Sequence, residues 1–325
     1  MAKLTIVQAV NAALHEEMAQ DERVVVLGED VAEIGGVFRA TEGLLEEFGP
    51  DRVIDTPVAE SAIVGTAIGM ALYGLRPVPE IQFLGFIPPA FDQIVSHLAR
   101  FRYRTGGEWT TPLVIRVPCG AGVRAFEHHS ESSEAWFFHT PGLKVVMPAT
   151  PHDTKGLLIS AIRDPDPVIF LEHKKIYRAI KEEVPEEDYT VPIGKAEIVT
   201  PGADVSVFAY GAMRYVALEA ARQAEALDID AEVIDLRTLT PLDVDTIVAS
   251  VQRTGRAMII HEAPRTGGVG AEITSIINER AFEYLEAPIA RVTGYDTPVP
   301  PYRLEDTYLP DTERVLNAIE ATVNF

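Results

Sequence analysis

The feature that most constrains the fold is a repeated alternation of short apolar runs with longer stretches of helical spacing. Val24-Val25-Val26-Leu27, closed by Gly28, is the first such run. Leu113-Val114-Ile115, Lys144-Val145-Val146-Met147 and Val168-Ile169-Phe170-Leu171 follow. Continuous β-branched runs of this length suit strands buried on both faces. Between them, residues 61–73, 88–104 and 153–163 have helical periodicity. So does 5–20, with Ile6, Val7, Val10, Leu14 and Met18 on one face and Thr5 as N-cap. This order predicts a mostly parallel, doubly wound sheet. The segment Lys181-Glu182-Glu183-Val184-Pro185-Glu186-Glu187-Asp188 is charged, is broken by a proline and reads as exposed linker. The alternation then restarts, with strands at 204–210, 231–236, 257–261 and 289–293, helices at 213–227, 243–253 and 270–284, and a closing helix at 311–323. The expectation is an α/β protein of two doubly wound α/β domains, 1–185 and 196–325, joined by a linker at 186–195.

Composition narrows the function. The chain has 325 residues and is 47% hydrophobic. It contains no apolar run of about 18 residues that would span a membrane. Its first residues lack the apolar stretch of a secretory signal. The lone Cys119 excludes an intrachain disulfide framework and a cysteine-rich zinc site. A cytoplasmic location is expected. The net charge of -21 argues against binding nucleic acid. Residues 196–325 carry 21 acidic and 10 basic side chains, and residues 1–195 carry 28 and 18. The C-terminal stretch is therefore the more acidic per residue, which suits either solubility or a basic protein partner.

Several local motifs carry more than the fold does. Gly28-Glu29-Asp30-Val31, Gly35-Gly36-Val37-Phe38-Arg39-Ala40-Thr41-Glu42-Gly43-Leu44 and Asp55-Thr56-Pro57-Val58-Ala59-Glu60-Ser61 resemble the pyrimidine-binding domain of thiamine-diphosphate enzymes. Pro79-Glu80-Ile81-Gln82-Phe83, Phe101-Arg102-Tyr103-Arg104-Thr105-Gly106-Gly107 and Pro141-Gly142-Leu143-Lys144-Val145-Val146 continue the match. Over essentially its whole length the chain resembles the β subunits of the E1 component of 2-oxo acid dehydrogenase complexes. The region after about residue 196 is similar to the C-terminal domain of transketolases.

The resemblance implies that Glu60 is catalytic. Its carboxyl would hydrogen-bond N1′ of the cofactor aminopyrimidine and favour the imino form, whose nitrogen takes the C2 proton. Taken alone, a glutamate at a helix start also suits the helix dipole. Phe86 would pack on the pyrimidine, although Phe83 and Phe86 could equally be core. Glu29 would contact the cofactor region or a proton path, or cap a turn. In His128-His129-Ser130, His129 matches a family histidine at the active-site mouth that stabilises or protonates intermediates; an imidazole titrates near neutrality. His128, His129 and His139 do not form a recognised metal-ligand spacing. Ser130 and Glu134 lack the Gly-x-Ser-x-Gly elbow of a hydrolase. Leu113, Ala161, Ile162, Asp164 and Asp166 match positions that bind a structural potassium ion in some relatives, largely through carbonyl oxygens.

Thiamine enzymes also need a diphosphate site, usually a Gly-Asp-Gly and a later Asn-Asn that hold Mg²⁺. The chain has no Gly-Asp-Gly. The resemblance therefore implies a separate E1 α subunit that holds Mg²⁺ and the diphosphate in an α2β2 assembly, so thiamine diphosphate is shared between chains. It further implies an E2 acyltransferase bound through its basic subunit-binding domain, near Glu286, Asp296 and Phe325, and a lipoyl domain as acyl acceptor. Pyruvate and branched-chain 2-oxo acids are both candidate substrates, and the stretch 36–41 is similar to bacterial pyruvate enzymes. The alternatives are an acetoin dehydrogenase β subunit and a non-catalytic docking homologue.

Overall fold

A computed structural model of the protein describes residues 1–325 and divides into two compact units. The first comprises Met1–Cys119 and Trp136–Ile193, and the second Gly120–Ala135 and Gly194–Phe325. Nothing in the strand–helix alternation announces the excursion of Gly120–Ala135 into the second unit.

The first unit opens with β1 (Ala2–Thr5) and α1 (Ile6–Gln20). Thr5 and Gln8 form a reciprocal capping box, which satisfies two otherwise orphaned N–H groups. Then come β2 (Val24–Gly28), α2 (Leu44–Phe48), β3 (Val53–Asp55), α3 (Glu60–Leu72), β4 (Arg76–Glu80), α4 (Phe101–Arg104) and β5 (Val114–Cys119). They are followed by α5 (Glu134–Phe138), β6 (Lys144–Val146), α6 (Pro151–Arg163), β7 (Val168–His173) and β8 (Lys181–Val184). Six strands make a wholly parallel sheet in the order β6-β7-β5-β4-β2-β3. All residues of β2, β5 and β7 are buried, as expected for strands covered by helices on both faces. In register, Gly28 lies between Asp55 and Glu80, so β2, β3 and β4 end together. That carboxyl edge is where open α/β sheets place their sites.

Two stretches differ from the sequence reading. The helix expected over 88–104 is broken into short helical turns around a π-helical segment, Gln93–His97. Pro88 and Pro89 withhold two N–H donors at its start. The charged stretch expected as linker is instead partly strand: Lys181–Val184 pairs antiparallel with Ala2–Thr5. Beyond it the chain lies along α6. Tyr189 stacks on His152 at 4.7 Å, and Ser160 Oγ donates to the Val191 carbonyl at 2.6 Å.

The second unit contains β9 (Glu197–Thr200), β10 (Val205–Ala209), α7 (Met213–Ala224), β11 (Ala231–Asp235), β12 (Thr238–Thr240), α8 (Val244–Thr254), β13 (Ala257–Pro264), α9 (Val269–Ala281) and β14 (Ala290–Gly294). It closes with α10 (Glu305–Tyr308) and α11 (Thr312–Val323). Its five-stranded sheet runs β14-β13-β10-β11-β9, parallel except at β9. Asp243 caps α8 and Asp311 caps α11, each through its carboxylate. The chain is thus the expected pair of doubly wound α/β folds. No helix is long and apolar enough to cross a membrane.

Candidate active site

Glu60 is the first residue of α3, on the carboxyl edge of the first sheet. The Thr56 N–H donates to the Gly28 carbonyl at 2.9 Å, tying the turn before Glu60 to the end of β2. Asp55 accepts from the Ala32 and Glu33 N–H groups at 2.7 and 3.2 Å, so it ties β3 to the loop that begins at Glu29. Gly28 allows the close strand contact: a Cβ there would sit 2.7 Å from the Glu80 carbonyl oxygen. The loop itself is fixed by Thr41, whose hydroxyl donates to the Val31 carbonyl at 2.7 Å, and by Asn11, whose amide donates to the Ala40 and Glu42 carbonyls.

Glu29 is buried, whereas Glu60 is half-buried. Burial, the Glu60 carboxylate and Asp30 together raise the Glu29 pKa above the ordinary carboxyl value. Glu29 therefore holds a proton more readily than a free carboxyl does. The folded state binds this proton more tightly than the unfolded chain. The associated stability is therefore present at low pH and lost as pH rises through the raised value. Glu29→Gln is expected to raise the thermal midpoint at pH 7 and to change it less at pH 4.5. An equal shift at both pH values would contradict this coupling.

Phe86 closes a 3₁₀ turn, Leu84–Phe86, after β4. Its ring meets Phe83 edge-on at 5.3 Å, and Phe83 meets Phe38 edge-on at 5.5 Å. Phe86 is half-exposed. In the turn before Glu60, the buried Thr56 hydroxyl has no hydrogen-bond partner within the chain. An aromatic face, a carboxyl and a spare buried hydroxyl on one edge are compatible with a flat heteroaromatic ring that carries donors and acceptors. Glu29 and Glu60 lie close enough to interact electrostatically, and Phe86 follows β4, the strand that pairs with the end of β2.

Sequence reasoning missed a buried ion network on the same sheet edge. The guanidinium of Arg116, on β5, donates to Glu80 at 2.7 Å and to both oxygens of Glu172 at 2.7 and 2.9 Å. The Tyr177 hydroxyl also donates to Glu172. Burial opposes charge on Arg116, but Glu172 and Glu80 outweigh it and hold the guanidinium charged. Burial also raises the Glu80 pKa, against the pull of Arg116. The one local signal in the sequence is Arg116, a charged residue inside the apolar run 113–117.

His129 lies in the second unit, at the end of a 3₁₀ turn, Glu127–His129. Its loop is hung on two buried carboxylates of that unit. Glu262 accepts from the Ala121 N–H at 2.8 Å and from Ser132 Oγ at 2.6 Å, and Glu305 accepts from the Gly122 N–H. Arg124 pairs with Asp306 at 3.0 Å and lies over the Tyr302 ring. Arg124, Ala125, Phe126, His129, Pro301 and Tyr302 line a cavity of about 280 Å³. His128 is exposed and pairs with Glu127 at 3.1 Å. Glu134 accepts from the Tyr210 hydroxyl at 2.7 Å, which gives it a structural role. Glu262 and Glu305 are not legible in the sequence, since isolated acids in an acidic chain carry no pattern.

In the acidic second unit, Glu286 pairs with Arg256 at 2.8 Å, Asp296 accepts from Thr266 N and Oγ1 at 2.8 and 2.7 Å, and Phe325 is exposed.

The five positions matched to a potassium site surround the turn after α6, and each is already engaged. The Leu113 carbonyl accepts from the Val168 N–H at 3.0 Å, and the Ala161 carbonyl from the Asp164 N–H at 3.3 Å. Arg76 Nη1 donates to the carbonyls of Ile162 and Asp164 at 2.6 and 3.3 Å. Lys144 Nζ binds both oxygens of the Asp164 carboxylate at 2.7 and 2.6 Å, and Arg102 binds Asp166 at 2.5 Å.

The fold and site define a transketolase-type architecture, and comparison with known proteins narrows this. Residues 2–180 match the transketolase pyrimidine binding domain, and residues 194–315 match the transketolase C-terminal domain. The chain is 52% identical to the pyruvate dehydrogenase E1 component subunit beta of Bacillus subtilis, with 100% of both chains covered. It is 51% identical to the protein of the same name from Staphylococcus epidermidis, again over 100% of both. Among solved structures it is similar to a split gene transketolase, described as an inactive beta4 tetramer. The TM-score is 0.82 at 23% identity, with 99% of each chain covered, a likeness of fold alone. The chain belongs to the family of pyruvate dehydrogenase E1 component β subunits.

Proposed function

We propose that the protein is the β subunit of a thiamine-diphosphate-dependent E1 component that oxidatively decarboxylates pyruvate and passes the acyl group to the lipoyl group of an E2 acyltransferase. The observation that supports this reading is the neighbouring carboxyls of Glu29 and Glu60 at the carboxyl edge of the sheet. Full-length identity to pyruvate dehydrogenase β subunits supports pyruvate over branched-chain 2-oxo acids and acetoin. Thiamine diphosphate, when bound, supplies the nucleophilic carbon and the electron sink on which a 2-oxo acid loses CO₂.

The chain's own residues then have separate tasks. Glu60 shares a proton with the ring nitrogen of the aminopyrimidine through its carboxyl oxygen. Glu29 places a second carboxyl near Glu60, and burial together with the Glu60 and Asp30 charges raises its pKa. Phe86, edge-on to Phe83, packs on the pyrimidine. His129 is a proton donor during decarboxylation and acyl transfer. An α subunit holds Mg²⁺ and the diphosphate, because this chain offers no Gly-Asp-Gly. The acidic second unit faces the basic subunit-binding domain of E2, and the assembly works in the cytoplasm as α2β2.

The test is co-expression with the α chain and assay of pyruvate, 2-oxoisovalerate and acetoin with an artificial electron acceptor. Turnover is expected only with both chains and thiamine diphosphate, and fastest with pyruvate. Turnover by this chain alone, or none by the pair, would refute the reading. His129→Ala is expected to slow acyl transfer to free lipoamide by about 10²-fold, with little change in cofactor affinity. Unchanged transfer would remove His129 from the mechanism.

A further inference from the structure

We propose that the guanidinium of Arg76 takes the place of a structural potassium ion in this chain, so that the turn after α6 is held without a bound cation. This inference stands apart from the catalytic reading, since Arg76, Lys144 and Arg102 lie at the turn after α6.

The geometry starts from an end of a helix. The last carbonyls of α6 have no intrahelical donors, and the helix dipole places negative charge there. Such an end calls for a cation. Arg76 Nη1 supplies one, 2.6 Å from the Ile162 oxygen and 3.3 Å from the Asp164 oxygen. These are two of the carbonyls that would ligate potassium, and their lone pairs converge on the same nitrogen. Arg76 is the first residue of β4, and its backbone N–H is fixed by the Arg23 carbonyl at 2.8 Å. Its Nε lies 3.8 Å from Asp21, so the side chain is steered from both ends.

The charge balance points the same way. Asp164 and Asp166 are matched by Lys144 and Arg102 through ion pairs of 2.6 and 2.5 Å, and Asp21 is paired with Arg23 at 2.7 Å, with Arg76 a more distant neighbour at 3.8 Å. A further cation among the same oxygens would lie against Arg76 and Lys144 without an unmatched carboxylate to hold it. The residues therefore do not fit a bound potassium ion. A tethered guanidinium does the same work and cannot dissociate when the ionic composition changes.

The experiment is thermal unfolding of the full-length chain in KCl, NaCl and choline chloride at equal ionic strength. The midpoints are expected to agree within about 1 °C. Arg76→Met should lower the midpoint in choline chloride by about 5 °C, and KCl, but not NaCl, should restore at least half of the loss. Three results would overturn the proposal: a saturable rise specific to potassium in the unsubstituted chain, an unchanged midpoint for Arg76→Met, or a loss that potassium leaves unrepaired. If Arg76→Met does not fold, crystals soaked in rubidium decide: an anomalous peak in coordination distance of the Ile162 oxygen in the unsubstituted protein would refute the proposal, and no peak there supports it.

Discussion

Glu60→Gln, assembled with an α subunit, is expected to lose at least about 100-fold in 2-oxo acid decarboxylation while keeping its fold. An amide has nearly the same shape as the carboxyl but cannot share a proton with a ring nitrogen. The loss should fall on kcat, since Glu60 is proposed to act on the cofactor and not on the substrate. Stability should hardly change. Glu60 is half-buried at the first turn of α3, where a negative charge contributes about 0.3–1 kcal/mol. The repulsion felt by Glu29 disappears at the same time, which offsets this. The measurements are steady-state decarboxylation with an artificial acceptor and a thermal melt of the same preparation. Activity within a few-fold of the unsubstituted enzyme would end the catalytic assignment.

Arg116→Met should have the largest effect on stability. Arg116 is completely buried and donates three charge-assisted hydrogen bonds. Its removal strands Glu80 and Glu172, both buried, with no countercharge. Breaking one partner out of such a group costs about 3–5 kcal/mol. For a chain of this size that corresponds to a fall in midpoint of about 4–8 °C. Some of the loss should return on acidification, because the stranded carboxyls are then protonated in the folded state. Replacing Glu80, Arg116 and Glu172 together by Gln, Met and Gln should recover most of the stability. A midpoint for Arg116→Met within about 2 °C of the starting protein would show that the network contributes little.

The alternation of apolar runs with helical patterns is enough to read the two doubly wound sheets, because strands covered on both faces have no polar side to disguise them. Glu60 and Phe86 can be singled out only through neighbouring motifs. What escapes the sequence depends on distant partners. β1 is a four-residue edge strand that exists because Lys181–Val184 pairs with it. The charged composition of that partner resembles a linker, since an edge strand tolerates charge on both sides. The 88–104 stretch has helical spacing but cannot be one helix, with two prolines at its start and a π segment inside it. Arg116 sits in a run of apolar residues and gives no hint of its two glutamates, which lie 36 and 56 residues away.

The chain passes from one unit to the other at 119/120, 135/136 and 193/194. The second unit is therefore not a cassette that begins where the first one ends. Residues 194–325, moved into a relative by recombination, would leave their own 120–135 segment behind and receive a foreign one, with Glu262 and Glu305 meeting backbone amides they did not evolve beside. The heritable piece is discontinuous: 120–135 together with 194–325. Chimeras between family members should keep their stability when both segments travel together and lose it when the graft is cut at a single point.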